Sequence, residues 1–483
     1  TPLKVAVIGA GISGLAAAAS LVEKGFHVYL LEASDYIGGR LKQTEPFPGF
    51  PPIDLGGDFI HGSNNIIHQL AEENGWKVKQ GYGCDGDLPK STCIYTDGKL
   101  YSFHDTDHAD VYAAFKAWDD IIMIGFNSVQ KEGSDIKSPE GTRILNEEID
   151  EEGKQRNHDQ IAGISLYSWL SAKGFNQNVM NIMESRYCQT HGDTLTTFGV
   201  LETAVSEVQW DYGAGNYRLE GSYSLLLSHF INKCAKVDKR LNWPVKEIKW
   251  TDKTADQSNQ TSAVNIASEH GESLQVNYAV VTVPLTILKE EDIIFSPPLP
   301  IPKQRAIKSI YMGTALKVVC RFKKPFWRET LLVVCPVNFL HQVWTYSRDP
   351  NQDGEECHVA VGFETAVAAA HKVHLTEDVV CQRFVQQLDE MFGTNEDPKP
   401  ASTNLLSFVY YHWSKHPYIR GGYSSHTVNT LEMRHHLAEP VGGRLFFAGE
   451  ATHLRTSGTV HSALETGIRA ADEVWQACGG NIP

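Results

Sequence analysis

No run of about 20 apolar residues occurs in this 483-residue chain, so the sequence offers no helix to cross a bilayer. Metal-ligand spacing is missing too. Nine cysteines are scattered without a CxxC pair, which leaves a zinc site no framework and makes no bound metal the expectation. The odd number leaves at least one thiol free and favours a reducing compartment, with a cytoplasmic location as the expectation. Basic residues are the minority, 43 Lys and Arg against 58 Asp and Glu, for a formal net charge of −15. That balance argues against nucleic acid as a partner and would concentrate a cationic ligand near the surface. A secretory leader is not visible: the apolar run Val5 to Ala10 follows Thr1 without a charged flank or cleavage site, and reads as a first strand. A leader removed ahead of residue 1 is compatible with the same start, and only then would the sequon Asn259-Gln260-Thr261 matter. The final residues, Gly479 to Pro483, carry no peroxisomal signal. Repeats and low-complexity linkers are absent, so the two or three domains expected at this length are interleaved from discontinuous segments.

The first 40 residues carry the strongest pattern. A β-branched strand, Val5 to Ile8, leads into Gly9-Ala10-Gly11-Ile12-Ser13-Gly14. An alanine- and leucine-rich helix, Leu15 to Lys24, follows, and Gly25 can end it. A second strand, Val28 to Leu31, stops at Glu32, 18 positions after Gly14. This is a βαβ start with the glycine fingerprint of a dinucleotide site. Gly9 permits the tight turn, Gly11 lets the backbone approach a pyrophosphate, and Gly14 allows close helix–strand packing. The helix N-terminus offers unpaired N–H groups to the phosphates. Glu32 can accept from ribose hydroxyls and would repel a 2′-phosphate. Soon afterwards, Glu32-Ala33-Ser34 leads to Gly38-Gly39-Arg40, where Arg40 is placed to meet a phosphate. A solvated turn is the alternative reading of that second element.

Further along, residues 80–160 read as irregular and polar, with an acidic cluster at Glu147, Glu148, Asp150, Glu151 and Glu152. Helical apolar spacing marks Ile164 to Phe175, Asn178 to Tyr187, Gly221 to Val237 and Val379 to Phe392. Strands are predicted at Val245 to Ile248, Ala279 to Val283 and Ala315 to Phe322. A last strand, Arg444 to Phe447, ends in Ala448-Gly449-Glu450, and Gly458 to Trp475 forms a long helix. Lys317 stands out, because an apolar run gives a lysine no obvious solvated side; an edge strand that lets it snorkel is the bland alternative.

In order along the chain, these motifs resemble the flavin amine oxidase family, which includes polyamine, spermine and monoamine oxidases and histone lysine demethylases. The resemblance rests on Val7 to Leu15, Leu31-Glu32-Ala33, Ile37 to Arg40, Asp54-Leu55-Gly56-Gly57, Gly313 to Lys317 before Phe326-Trp327, and Phe447 to Thr452. Phe59-Ile60-His61-Gly62 and Pro417 to Ser424 are most similar to the polyamine and spermine oxidases. The resemblance implies an α/β fold: a Rossmann-like FAD-binding domain interleaved with an α+β substrate-binding domain, the amine oxidase and p-hydroxybenzoate hydroxylase architecture. The expected division assigns 1–80, 215–290 and 430–483 to FAD, and 81–214 and 291–429 to substrate. It further implies FAD held non-covalently, because Gly422 falls where monoamine oxidases carry the linking cysteine.

Carried over residue by residue, the cofactor contacts are Gly9, Gly11, Gly14, Glu32, Ala33, Gly38, Gly39, Arg40, Gly57, Asp58, Val245, Trp413, Gly449, Glu450 and Thr459. Glu450 holds the flavin rather than doing acid–base work. Lys317 and His61 are the catalytic candidates, Lys317 beneath the flavin and His61 lining the substrate channel. Tyr423, with Trp413, supplies an aromatic wall, and Thr459 stands where plant polyamine oxidases have tyrosine. Family members usually contact the distal amine through a carboxylate; Gln189 falls near its place, so Glu184 or Asp193 is expected to substitute. The implied reaction is hydride loss from the α-carbon of a polyamine (spermine, spermidine or an acetylated form) to flavin N5, yielding an aldehyde, a smaller amine and, with oxygen, hydrogen peroxide. An L-amino acid oxidase, with Arg186 or Arg420 for the carboxylate, is the nearest alternative. A lipid isomerase or desaturase is the next, against which Lys317 and His61 argue; a flavoprotein without turnover is the last.

Overall fold

The computed structural model describes residues 2–83, 91–102, 107–129, 161–252, 264–327 and 332–480. The acidic cluster at Glu147 to Glu152 and the sequon at Asn259 lie outside them. Strand β1 (Lys4–Ile8) buries Val5, Ala6, Val7 and Ile8 on both faces, as a continuous apolar run in a parallel sheet must. The chain turns at Gly9, with φ +104°, into helix α1 (Ile12–Glu23), and returns as strand β2 (His27–Leu31). Five parallel strands complete this sheet in the order Asp238–Arg240, β2, β1, Tyr278–Val281, Leu445–Phe447. Successive connections leave β1 in opposite directions, which opens a crevice at the carboxyl ends of β1 and Tyr278–Val281.

Small residues set the packing of this half. α1 lies against the last helix, Val460–Ala477, and a Cβ on Gly467 would sit 2.2 Å from the Ser13 carbonyl oxygen. A Cβ on Gly14 would sit 1.9 Å from the Gly9 carbonyl oxygen. The strand at Val245–Trp250 belongs to a separate four-stranded sheet, pairing with Val264–Ser268 and, in parallel, with Ile294–Ser296. Helix Ile301–Ser309 packs on Met433–Ala438 within the same apolar cluster. Ile294–Ser296 and Ile301–Ser309 thus join the apolar cluster that packs against the parallel sheet.

A seven-stranded sheet forms the second body, in the order Leu405–His412, Ala315–Phe322, Cys357–Thr365, Gln342–Arg348, Leu332–Val334, Thr92–Thr96, Lys99–Ser102. Ala315–Phe322 is flanked on both sides, antiparallel to both neighbours, and not an edge strand. Its even residues, Leu316, Val318, Cys320 and Phe322, pack against helix Glu377–Phe392 through Val380, Phe384 and Leu388. Its odd residues face the segment carrying Phe47, Ile53 and Phe59, where Val319 joins that cluster. Beyond this sheet lies a helical group built around Ala109–Val129 and Val200–Val208. The first of these falls where irregular structure was expected. Val111, Ala114, Trp118 and Ile121 do carry helical spacing, outweighed in the sequence by the polar residues around them. The eight described cysteines are all free. Among the described residues no helix is long and apolar enough to cross a membrane, and no group of His, Cys, Asp and Glu is placed to hold a metal ion.

The glycine pair predicts opposite sensitivities. Gly14→Ala is expected to destabilise the protein by about 1–3 kcal/mol through its backbone clash. Gly11→Ala, whose Cβ meets nothing within 4 Å, is expected to leave stability unchanged. Thermal denaturation of the two variants checks both.

Candidate active site

A cavity of about 580 Å³ begins in the crevice of the parallel sheet, beside Ile8, Leu31 and Thr282, and continues to Ala315, Lys317 and Trp344 of the second sheet. At its first end the backbone is open to a ligand. Gly11 caps α1 with no side-chain hydrogen bond, so the first N–H groups of the helix stay available to an anion. A Cβ on Gly11 would point into open space, with Gly38, Gly39 and Gly9 around the same turn. Glu32 is buried and pinned by the Ala10 and Ser34 N–H groups at 2.7 and 2.8 Å, which aims its carboxylate along the crevice. Ala33 and Val245 line the same end. This uncapped helix start, glycine cradle and anchored acid fit a diphosphate flanked by a ribose.

Midway, Arg40 does not point alone at an anion. Its Nη1 donates to the Gly422 carbonyl at 2.7 Å and to Glu450 at 2.8 Å, while the side chain still lines the cavity. Glu450 also accepts from the Ser424 hydroxyl at 2.7 Å and the Gly458 N–H at 3.0 Å. Burial works against its charge, but Arg40, Ser424 and Arg434 hold the Glu450 carboxyl below its usual range. Glu450 is therefore a fixed anion that ties Gly422, Ser424 and Gly458 together. Gly449, with φ +119°, lets the chain turn into this position. Thr459 accepts from the Ser462 N–H at 3.2 Å and so caps the last helix, whose N-terminus opens on the cavity beside Val460.

The far end is aromatic around one buried cation. Lys317 is 2% exposed. Its Nζ donates to the Gly56 and Asp54 carbonyls at 2.8 and 3.1 Å, and lies 3.7 Å from the Asp58 carboxylate. Burial pushes the ammonium below its ordinary range, opposed by Asp58 and Asp54. Phe59 and Trp344 meet edge to face at 5.3 Å, and Trp344 contacts Phe363 at 5.4 Å. Trp413 donates to the Leu55 carbonyl at 3.1 Å, and Tyr423 donates to that of Thr190 at 2.9 Å, which fixes both rings as walls. His61 bonds Asn216 Oδ1 at 2.7 Å, and the Asn216 amide NH₂ is held by the Tyr82 carbonyl at 3.3 Å. That orientation makes His61 Nδ1 the donor and leaves Nε2 as an acceptor. Burial lowers the His61 pKa, so the ring is neutral at neutral pH.

All the site residues expected from the sequence line this cavity except Gly14 and Glu184. Gly14 acts from behind, through packing. Glu184 is corrected: its carboxylate is turned away to accept the Leu195 N–H at 2.7 Å, because it starts a single π turn, Glu184–Cys188, that closes a helix. The other carboxylate, Asp193, does not reach the cavity lining either, being engaged by Ser425 and Thr197, and Gln189, which falls near the place of the expected acid, accepts from the Thr365 N–H at 2.9 Å. Arg420 lines the cavity but is ion-paired with Glu290 and Asp292, and Arg186 lies outside the lining. Sequence reading missed Trp344, Phe363, Gln342 and Arg218. The first three had a signal: Gln342 and Phe363 stand in register with Lys317, and Trp344 follows two residues later on the same face. Arg218 had none, since its strand, Asn216–Leu219, is four residues long.

The chain resembles known proteins along nearly its whole length. The chain is 28% identical to polyamine oxidase 4 of Oryza sativa subsp. japonica, over 98% of this chain and 88% of that protein. It is 25% identical to the human peroxisomal N(1)-acetyl-spermine/spermidine oxidase, over 98% and 94% respectively. The solved structure of cyclohexylamine oxidase from Brevibacterium oxydans IH-35A shares the fold, with a TM-score of 0.77 at 19% identity, over 99% of this chain and 100% of that one. The model of the flavin containing amine oxidoreductases matches residues 12–475, nearly the whole length, and the chain belongs to that family.

Proposed function

We propose that this flavoenzyme oxidises a polyamine (spermine, spermidine or an acetylated form) at a C–N bond, with oxygen as electron acceptor and an aldehyde, a smaller amine and hydrogen peroxide as products. One observation carries the reading: a neutral histidine acceptor and a buried lysine share an aromatic-walled chamber that is continuous with the dinucleotide cradle. The names of these two relatives, a polyamine oxidase and an acetyl-spermine/spermidine oxidase, support the same substrate class.

When bound, the FAD supplies the two-electron oxidation of the amine and the return of those electrons to oxygen. The protein's part is binding, orientation and charge. His61 Nε2 accepts an N–H from the substrate amine and orients it, while desolvation in the aromatic chamber favours the uncharged amine, the form with a nitrogen lone pair. Phe59, Trp344 and Tyr423 pack the methylene chain and exclude water. Lys317, held by the Asp54 and Gly56 carbonyls and paired with Asp58, would set the local charge beside a bound flavin. Glu450, fixed by Arg40, organises the loop at Gly422 and Gly458 against the flavin. Gly422 offers no side chain for a covalent link, so the flavin is held by contacts alone. An amino acid substrate is disfavoured, because Arg420 is already ion-paired.

The reading is tested by mixing the purified protein anaerobically with spermine, spermidine, their acetylated forms and a panel of L-amino acids while following flavin absorbance. Bleaching by a polyamine, with peroxide formed on readmitting air, is the expected result; bleaching by amino acids alone overturns it. Lys317→Met is expected to slow bleaching or reoxidation by roughly 10²-fold with FAD content unchanged. Denaturation by acid is expected to release all the flavin into the supernatant, and flavin retained on the precipitated chain would contradict the non-covalent assignment.

A further inference from the structure

Asp58 is a cavity-lining carboxylate that the proposed reaction leaves without a task. It is held from two sides. Arg218 grips it through Nε and Nη2 at 3.0 and 3.3 Å, and the Lys317 ammonium lies 3.7 Å from Oδ2. Arg218 is itself clamped between rings, 4.0 Å from the centroid of Phe59 and 4.2 Å from that of Tyr346. Its strand, Asn216–Leu219, therefore serves the chamber twice: Asn216 orients His61, and two residues later Arg218 fixes Asp58. Burial opposes the charge on Asp58, but Arg218 and Lys317 outweigh it and hold the carboxyl at about 2.

We propose that Asp58, pinned by Arg218, is the positioning residue that keeps the Lys317 ammonium charged and fixed beneath the reacting centre. The inference rests on the placement of Lys317 beside the flavin. The charged and titratable groups that face Lys317 are few. Asp54 and Asp58 come from one segment and Arg218 from the short strand, with Tyr411 opposite it in strand register and the Trp344 ring 5.6 Å away. Asp54 is a weak counterion. Burial and the neighbouring Asp58 raise its pKa to about 7, so near neutral pH it is only partly ionised. The durable negative charge is that of Asp58. Removing it would leave the buried ammonium with Asp54 as its one carboxylate and with Arg218 unneutralised beside it, and would lower the pH at which it gives up its proton.

The two partners of Lys317 thus act with opposite sign, which a purely structural role would not produce. The test is a substrate-free pH titration of flavin absorbance in the holoenzyme, between about pH 6 and 10, with the Lys317-dependent transition defined as the one that Lys317→Met removes. Asp58→Asn is expected to move that transition down by about 1–3 pH units. Arg218→Gln is expected to move it up, because Asp58 then serves Lys317 alone; this arm stands even if the Asp58 variant fails to fold. A transition that stays in place or moves in the same direction in both variants overturns the proposal, as does its absence in Asp58→Asn. If Lys317→Met in the otherwise native protein changes neither the spectrum nor reoxidation, the placement of Lys317 fails instead, and the two failures are told apart.

Discussion

Burying a lysine ammonium in the middle of a sheet costs several kcal/mol unless its hydrogens and its charge are met. Around Lys317 both are met, by carbonyls from Asp54 and Gly56 and by the carboxylate of Asp58. All three come from one segment, 53–61, which belongs to neither of the two large sheets. The segment can lie close enough only because Gly56 has no side chain: a Cβ there would sit 1.8 Å from the Arg40 carbonyl oxygen and 2.9 Å from the Trp413 ring. Satisfying one buried charge thus fixes the seam between the dinucleotide half and the sheet half. The same seam delivers Phe59 and His61 to the chamber.

The dinucleotide half obeys a different constraint, close backbone approach. Gly9, Gly14 and Gly467 bring β1, α1 and the last helix together, while Gly11 leaves the helix start bare. Glu450 then joins the halves from the other side. Its carboxylate binds Arg40, which follows β2, and Ser424, whose short strand pairs with Met312–Gly313 just ahead of Ala315–Phe322. A charge buried in this way is specified by geometry rather than by hydrophobicity, and it resists displacement because every partner is itself held in place. The cavity is therefore bounded by two fixed charge clusters, Glu450 with Arg40 and Arg434, and Lys317 with Asp58 and Arg218, and by aromatic walls between elements that neither cluster alone could position.

Much of this was legible in the sequence, for identifiable reasons. The βαβ start was readable because turn glycines, helix periodicity and an acid at fixed distance are all local signals. Lys317 was readable because a cation inside a β-branched run is a local contradiction that only a tertiary partner resolves. What stayed hidden were partners far apart in the chain. Arg218 reaches Asp58 across 160 positions from a strand too short to show alternation. Arg40 looked like an anion ligand, and its engagement by Glu450, 410 positions away, could not be read from either motif. Glu184 was misplaced for a related reason. A carboxylate near the right position says nothing about direction, and a π turn rotates it towards Leu195.

We propose that one continuous cavity seats the flavin with its reacting face towards Lys317, His61 and the aromatic walls. A crystal structure of the FAD-loaded protein with a bound polyamine measures this most directly. The expected result is the diphosphate at the bare start of α1, the flavin ring beside Lys317 and Trp413, and an amine nitrogen within hydrogen-bond reach of His61 Nε2. A flavin ring seated away from Lys317, or a polyamine bound outside the chamber of Phe59, Trp344 and Tyr423, would contradict it.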